Sequence, residues 1–150
     1  GRVSRGFGRG YRRHAVWGDR PLPEAWDVTG RNEYEGAVAE RLLAQVAGRG
    51  YLLADGNYEA SRVYDAAAAA GYQLVAPPDA RDTGRGHTYQ SPHRRAALGM
   101  FADGFGWALL RGRGAIERRF GNLVSFAGGL AGLPAWVRTL GRVARWVWAK

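Results

Sequence analysis

Two acids and one arginine are the residues whose types and spacing could do chemistry here. Asp55 sits in Gly50–Ala60, GYLLADGNYEA, where an apolar strand runs into an acid and then a Gly-Asn turn. Glu117 sits in Leu109–Leu123, LLRGRGAIERRFGNL, and is the only acidic side chain between Asp103 and the C-terminus. Arg113 lies four residues before it, one helical turn away on the same face. An acid at a strand tip and an acid on a later helix can hold one divalent metal between them. Two hard oxygen ligands suit Mg²⁺ or Mn²⁺, which keep waters and take the rest of their shell from phosphates. Two such ions roughly 3.5–4 Å apart would serve phosphodiester chemistry. That site needs a third, bridging carboxylate. Of Asp19, Asp27, Asp65, Asp79, Asp82 and Asp103, none falls at the tip of another central strand. Asp19 reads as a hairpin-turn residue and Asp27 as mid-strand. The competing reading is structural: Arg113 and Glu117 pair on a surface helix, and Asp55 only shapes its turn. His14, His87 and His93 lack ligand spacing. Tyr58 either packs over the Asp55 turn or contacts a nucleotide, and packing is the stronger reading.

The elements that must position these residues follow from periodicity and punctuation. Tyr11–Trp17 reads as a strand, Gly18-Asp19-Arg20 as a turn, and Leu22–Thr29 as the returning strand, with Pro21 and Pro23 limiting pairing at its start. Asn32 or Thr29 can cap the next helix, Tyr34–Ala47, with Val38, Leu42, Leu43 and Val46 inward and Glu35, Glu40 and Arg41 outward. Gly48 and Gly50 stop it. Tyr51–Ala54 is a short continuous apolar run, the mark of a strand buried on both faces. Glu59–Ala70 is an Ala-rich helix, and Tyr72–Ala76 a second buried strand closed by Pro77-Pro78. Strand, helix, strand over this span implies a parallel pair, with Asp55 at its C-terminal edge, where α/β sites cluster. Asp79–Thr88 reads as a polar loop and Pro92–Phe101 as a helix broken at Gly104–Gly106. The helix of Glu117 follows, with Ile116, Phe120 and Leu123 as its apolar stripe. Phe126–Leu133 reads as a Gly-rich linker. Pro134 opens a last helix with Trp136, Leu140, Val143 and Val147 on one face and Arg138, Arg142 and Arg145 on the other. That basic side is a solvated face, a DNA-backbone contact or a membrane-surface contact.

Composition points to a polyanionic partner. The 150 residues carry a net charge of +9 and a sequence pI near 10.8. Arg supplies the excess, since Lys150 is the single lysine, and guanidinium forks suit phosphates. The Arg/Gly-rich arm Gly1–Gly10 reads as a flexible segment or a phosphate contact. There is no cysteine, which excludes disulfides and thiolate metal sites. No apolar run is long enough to span a bilayer, so no membrane partner is expected. The sequence opens at Gly1 in mid-pattern and reads as part of a longer product.

At these residues the sequence resembles a DDE transposase of bacterial insertion sequences, in the IS4/IS5-like group. Gly10–His14, GYRRH, is similar to the family's glycine-aromatic-basic-x-His strand, and Leu22–Asn32, LPEAWDVTGRN, to its next strand and loop. Leu52–Tyr58, LLADGNY, resembles the strand bearing the second catalytic Asp, which carries over to Asp55. Arg113-Gly-Ala-Ile-Glu117 matches the family's arginine, three residues, glutamate core. The Leu-Pro-x-Trp-Val-Arg stretch near the end is also similar. Where the family has a Tyr three residues before the arginine, this sequence has Leu110. Where it has a Lys seven residues after the glutamate, this sequence has Val124.

The resemblance implies an α/β, RNase H-like mixed sheet with flanking helices, occupying the chain as part of one catalytic domain. The family's first Asp lies on a strand upstream of Gly10–His14, between the hairpin and the parallel pair. That strand and Asp are expected to be missing here, leaving open sheet edges. The implied activity is metal-dependent DNA cleavage and strand transfer in the full-length protein, with this chain inactive alone. Asp55, Glu117 and Arg113 are then the site residues, Asp55 and Glu117 the metal ligands, and two Mg²⁺ or Mn²⁺ ions the cofactors. Arg12, His14, Arg94, Arg95, Arg113, Arg118 and Arg119 become candidate DNA contacts. The partners implied are DNA, as element ends and target, and a second copy in a transposition complex, in a cytoplasmic, nucleoid-associated setting. The alternative is a non-catalytic basic nucleic-acid-binding module in which Asp55 and Glu117 are structural.

Overall fold

The computed structural model describes residues 10–20, 22–78, 89–114, 117, 118, 121 and 133–149. The expected basic arm, the polar loop before Tyr89, the linker up to Leu133 and the stripe of Ile116, Phe120 and Leu123 lie outside the described residues or almost wholly so.

Strand β1 (Tyr11–Val16) pairs antiparallel with β2 (Ala25–Gly30), with His14 opposite Asp27. Alternation along the strands sorts their side chains to two faces. Arg12, His14, Val16, Ala25, Asp27 and Thr29 meet α1 (Glu35–Leu43) and the turn after β3, as the ion pairs Arg12–Glu35 and Arg41–Asp27 and the core packing of Ala25 and Val16 record. Trp26 and Val28 face the other way, onto α5 (Leu140–Trp148), in a second small core with Val137 and Val143. The returning strand begins at Ala25 rather than Leu22, in keeping with the two prolines before it.

Helix α1 buries Val38, Leu42 and Leu43, with Val46 beyond its end, in the main core with Val63, Tyr64 and Ala67 of α2 (Ser61–Ala69). Its cap is Tyr34, with no side-chain hydrogen bond, so the cap expected from Asn32 or Thr29 is not made. Strands β3 (Gly50–Leu53) and β4 (Tyr72–Val75) are parallel, Gly50 opposite Tyr72. Their starts are brought level by the two helix exits: Gly48 N–H donates to the Ala70 carbonyl at 2.9 Å. Gly71, at φ 90°, approaches so closely that a Cβ there would lie 2.1 Å from the Gly48 oxygen.

Leu74 and Val75 are buried as expected, between α2 and α3 (Pro92–Ala102). The full burial expected of β3 does not occur, and Tyr51 is 50% exposed. The reason is topological. Among the described residues there are two separate two-stranded sheets, β1-β2 and β3-β4, so β3 has a neighbour on one side only.

Ser91 caps α3, accepting from His93 N and Arg94 N and donating to Asp65 Oδ1, which fastens α3 to α2. Gly104, at φ 85°, reverses the chain into α4 (Phe105–Leu110), continued by a 3-10 turn at Arg111–Arg113. The single helix expected over Leu109–Leu123 is therefore not continuous: α4 ends at Leu110, and the 3-10 turn stands between it and the helical residues Gly114 and Glu117. No helix of the described residues is long and apolar enough to cross a membrane.

Candidate active site

Asp55 lies two residues beyond the end of β3 and caps the 3-10 turn Gly56–Tyr58. Its Oδ1 accepts from Asn57 N at 2.9 Å, which fixes the carboxylate while leaving its second oxygen free of any partner among the described residues. Tyr58 folds back from this turn into the main core and meets His14 Nδ1 at 3.3 Å through its hydroxyl. Packing is thus its role, as the stronger sequence reading had it. Burial, with the Glu35 and Asp55 carboxylates nearby, pushes the Tyr58 hydroxyl up to about 12.

Glu117 is 68% exposed at its side chain and takes Arg113 Nη2 at 3.3 Å across one helical turn. Two contacts relate α4 and the 3-10 turn after it to β3, the strand before Asp55. The Tyr51 and Phe105 rings meet edge to face, centroids 5.6 Å apart, at the start of β3 and of α4. Toward their ends, a Cβ at Gly112 would lie 3.9 Å from Leu53 Cδ1. Gly112 and Leu53 are thus neighbours, with Glu117 five residues beyond the one and Asp55 two residues beyond the other, while α4 itself packs on α3 and β4.

Among the described residues no three His, Asp or Glu side chains gather to hold a metal. Asp27 is engaged by Arg41 at 3.0 Å and lies on β2, which pairs only with β1. Asp65 is taken by Ser91. The donor set at hand is two hard carboxylates, chemically fitted to a divalent cation such as Mg²⁺.

The expected DNA contacts divide. Arg95 and Arg118 are exposed and Arg113 half-buried. Arg12 is half-exposed and paired with Glu35. Two assignments are corrected. Arg94 is 5% exposed and ion-paired at 2.5 Å with Glu59, itself 2% exposed; this buried charge joins α3 to the residue after the Asp55 turn and cannot reach a phosphate. His14 is buried, with Nε2 3.0 Å from Thr29 Oγ1 and Nδ1 on Tyr58, so it ties the hairpin to the Asp55 turn rather than facing DNA. Arg119 lies outside the described residues. Sequence reasoning missed Glu59; its signal was an arginine in the first turn of α3, where the helix dipole disfavours a cation lacking an acid beside it.

The model of the transposase DDE domain family matches residues 5–131. This chain belongs to that family. No curated protein and no solved structure matches it. Helix α5 lies beyond the matched span.

Proposed function

We propose that this chain carries two of the three metal-holding carboxylates of an insertion-sequence transposase, Asp55 and Glu117, on an RNase H-like sheet completed by one more strand between β1 and β3. The observation that supports this reading is the pair of contacts Tyr51–Phe105 and Leu53–Gly112, which join α4 and the 3-10 turn after it to β3. In this reading Glu117, five residues past Gly112, turns toward the Asp55 turn, two residues past Leu53. The separation of β1-β2 from β3-β4 supports the rest: both sheets have an unpaired edge among the described residues, and the Tyr58–His14 bond holds them to one another.

In this reading a bound Mg²⁺ or Mn²⁺ supplies Lewis-acid activation of a DNA phosphodiester. Asp55 offers its free oxygen from a turn locked by Asn57. Arg113 orients Glu117 and balances its charge until a phosphate competes for the guanidinium. Exposed Arg95 and Arg118 bind backbone. The third carboxylate, the bridging one, rides on the added strand, and a second copy joins the transposition complex. The insertion-sequence subgroup belongs to this proposal as well.

The test is Mg²⁺- or Mn²⁺-dependent nicking of supercoiled DNA. The 150-residue chain is expected to be silent, and a chain extended upstream by an Asp-tipped strand to be active. In that extended chain, Asp55→Asn and Glu117→Gln should each lower the rate by about a hundredfold or more. Mn²⁺ should broaden the NMR signals of residues 55 and 117 together. Nicking by the 150-residue chain that Asp27→Asn abolishes would overturn the missing-strand reading. Indifference to both Asp55→Asn and Glu117→Gln would leave Asp55 as a turn cap only.

A further inference from the structure

Helix α5 uses one face for the fold and leaves the other bare. Val143 is buried against Val28 and Val137, and Trp146 and Val147 pack beside it. The opposite face carries Arg142, Arg145 and Trp148 at successive three-residue steps, which stack on one side of a helix. All three are exposed, Trp148 at 78%. Gly141 and Ala149 flank them and add no bulk; a Cβ at Gly141 would meet nothing within 4 Å. Arg138 is exposed just ahead of the helix, its carbonyl held by the Tyr11 hydroxyl at 2.8 Å. Arg142 Nη1 donates to the Trp136 carbonyl at 3.0 Å, which braces the helix entry.

No Asp or Glu follows Glu117 in the sequence, and among the described residues none of Arg138, Arg142 and Arg145 has an acid partner. Arg13, on the β1 face shared with Tyr11, adds a buried Nη1 with no hydrogen-bond partner among the described residues. An amphipathic Arg/Trp helix can also lodge on a membrane, but it would do so through its apolar face. Here β2 covers Val143, Trp146 and Val147 of that face, and only Leu140 and Trp136 stay exposed, at the helix entry. Beyond them, the outward side chains of the helix are guanidinium and one indole, Trp148, the complement of phosphates and an unstacked base.

We propose that the outer face of α5, with Arg138, is a DNA-contact surface separate from the Asp55–Glu117 site: Arg138, Arg142 and Arg145 take backbone phosphates, and Trp148 stacks on an unpaired base. The choice of DNA as the polyanion rests on the transposase reading; the surface does not.

The test is DNA binding by the full 150-residue chain in EDTA, with affinity followed against salt concentration for a duplex and for a single strand. Replacing Arg138, Arg142 and Arg145 together by Ala should lower the duplex log–log slope by about 2–3, at about 0.9 per phosphate. Arg145→Glu alone, at an exposed position with no side-chain partner among the described residues, should lower it by about 1 without touching the fold. Trp148→Ala should weaken single-strand binding about tenfold and leave duplex binding nearly unchanged. An unchanged slope in both arginine variants overturns the proposal. So does binding to phosphatidylglycerol vesicles that the triple substitution abolishes while DNA affinity persists. Because no metal is present, failure here is distinct from failure of the nicking test.

Discussion

His14 sits where the hairpin meets the Asp55 turn, between Thr29 and Tyr58. Burial lowers its pKa, outweighing Glu35 and Asp27, which act the other way. In the unfolded chain an imidazole takes its proton near about 6.5. Below that pH the unfolded state holds more protons than the folded one, so stability falls as pH falls. It is fully present above the unfolded value and is lost downward toward the folded one. Melting temperature should therefore drop as pH is lowered from 7 toward 5, and His14→Gln should flatten that slope relative to the parent. A slope unchanged in His14→Gln would mean that His14 is not the titrating group. The same residue shows a limit of reading types alone. A basic residue in a basic strand suggests phosphate contact, yet its neighbours two strand-steps away and 44 residues on bury it.

At the scale of elements, most of what positions the site was legible. Order, type and pairing of β1, β2, α1, β3, α2, β4 and α3 follow from alternation, helical stripes and glycine stops, and Asp55 falls just past β3, which ends one residue earlier than expected, at Leu53. What was not legible depends on distant partners. Apolarity cannot say whether β3 has one neighbour or two, and Tyr51 exposes half its surface for want of the second. Nor does local pattern show that Arg94 turns inward to Glu59, since that pair closes across 35 residues. Gly71 gives this scale its prediction. Its φ of 90° and the Gly48 oxygen 2.1 Å from a would-be Cβ make it the point where the exits of α1 and α2 cross. Gly71→Ala must distort both the turn and the neighbouring backbone, which should cost about 3 kcal/mol. Urea unfolding measures it, and a loss below about 1 kcal/mol would show that the two exits can slide without disturbing the β3-β4 register.

At the scale of the molecule, one main core built by α1 and α2 holds two short sheets that do not join. Two strands alone are marginal, and each unpaired edge is a row of backbone donors and acceptors open to another strand. Among the described residues β1 is bonded only to β2 and β3 only to β4. A strand inserted between them would satisfy both rows at once and turn two sheets into one of five strands. Three measurements bear on this. Amides of β1 and β3 that point away from their partners should exchange far faster than those of α1 and α2. The 150-residue chain should self-associate as its concentration rises, because two open edges on one molecule can pair with two others. A chain extended upstream through the added strand should protect those same amides and sediment as a smaller species at equal concentration. If the extended chain leaves the β1 and β3 amides unprotected, the added strand lies elsewhere, and Asp55 and Glu117 lose the bridging carboxylate the site requires.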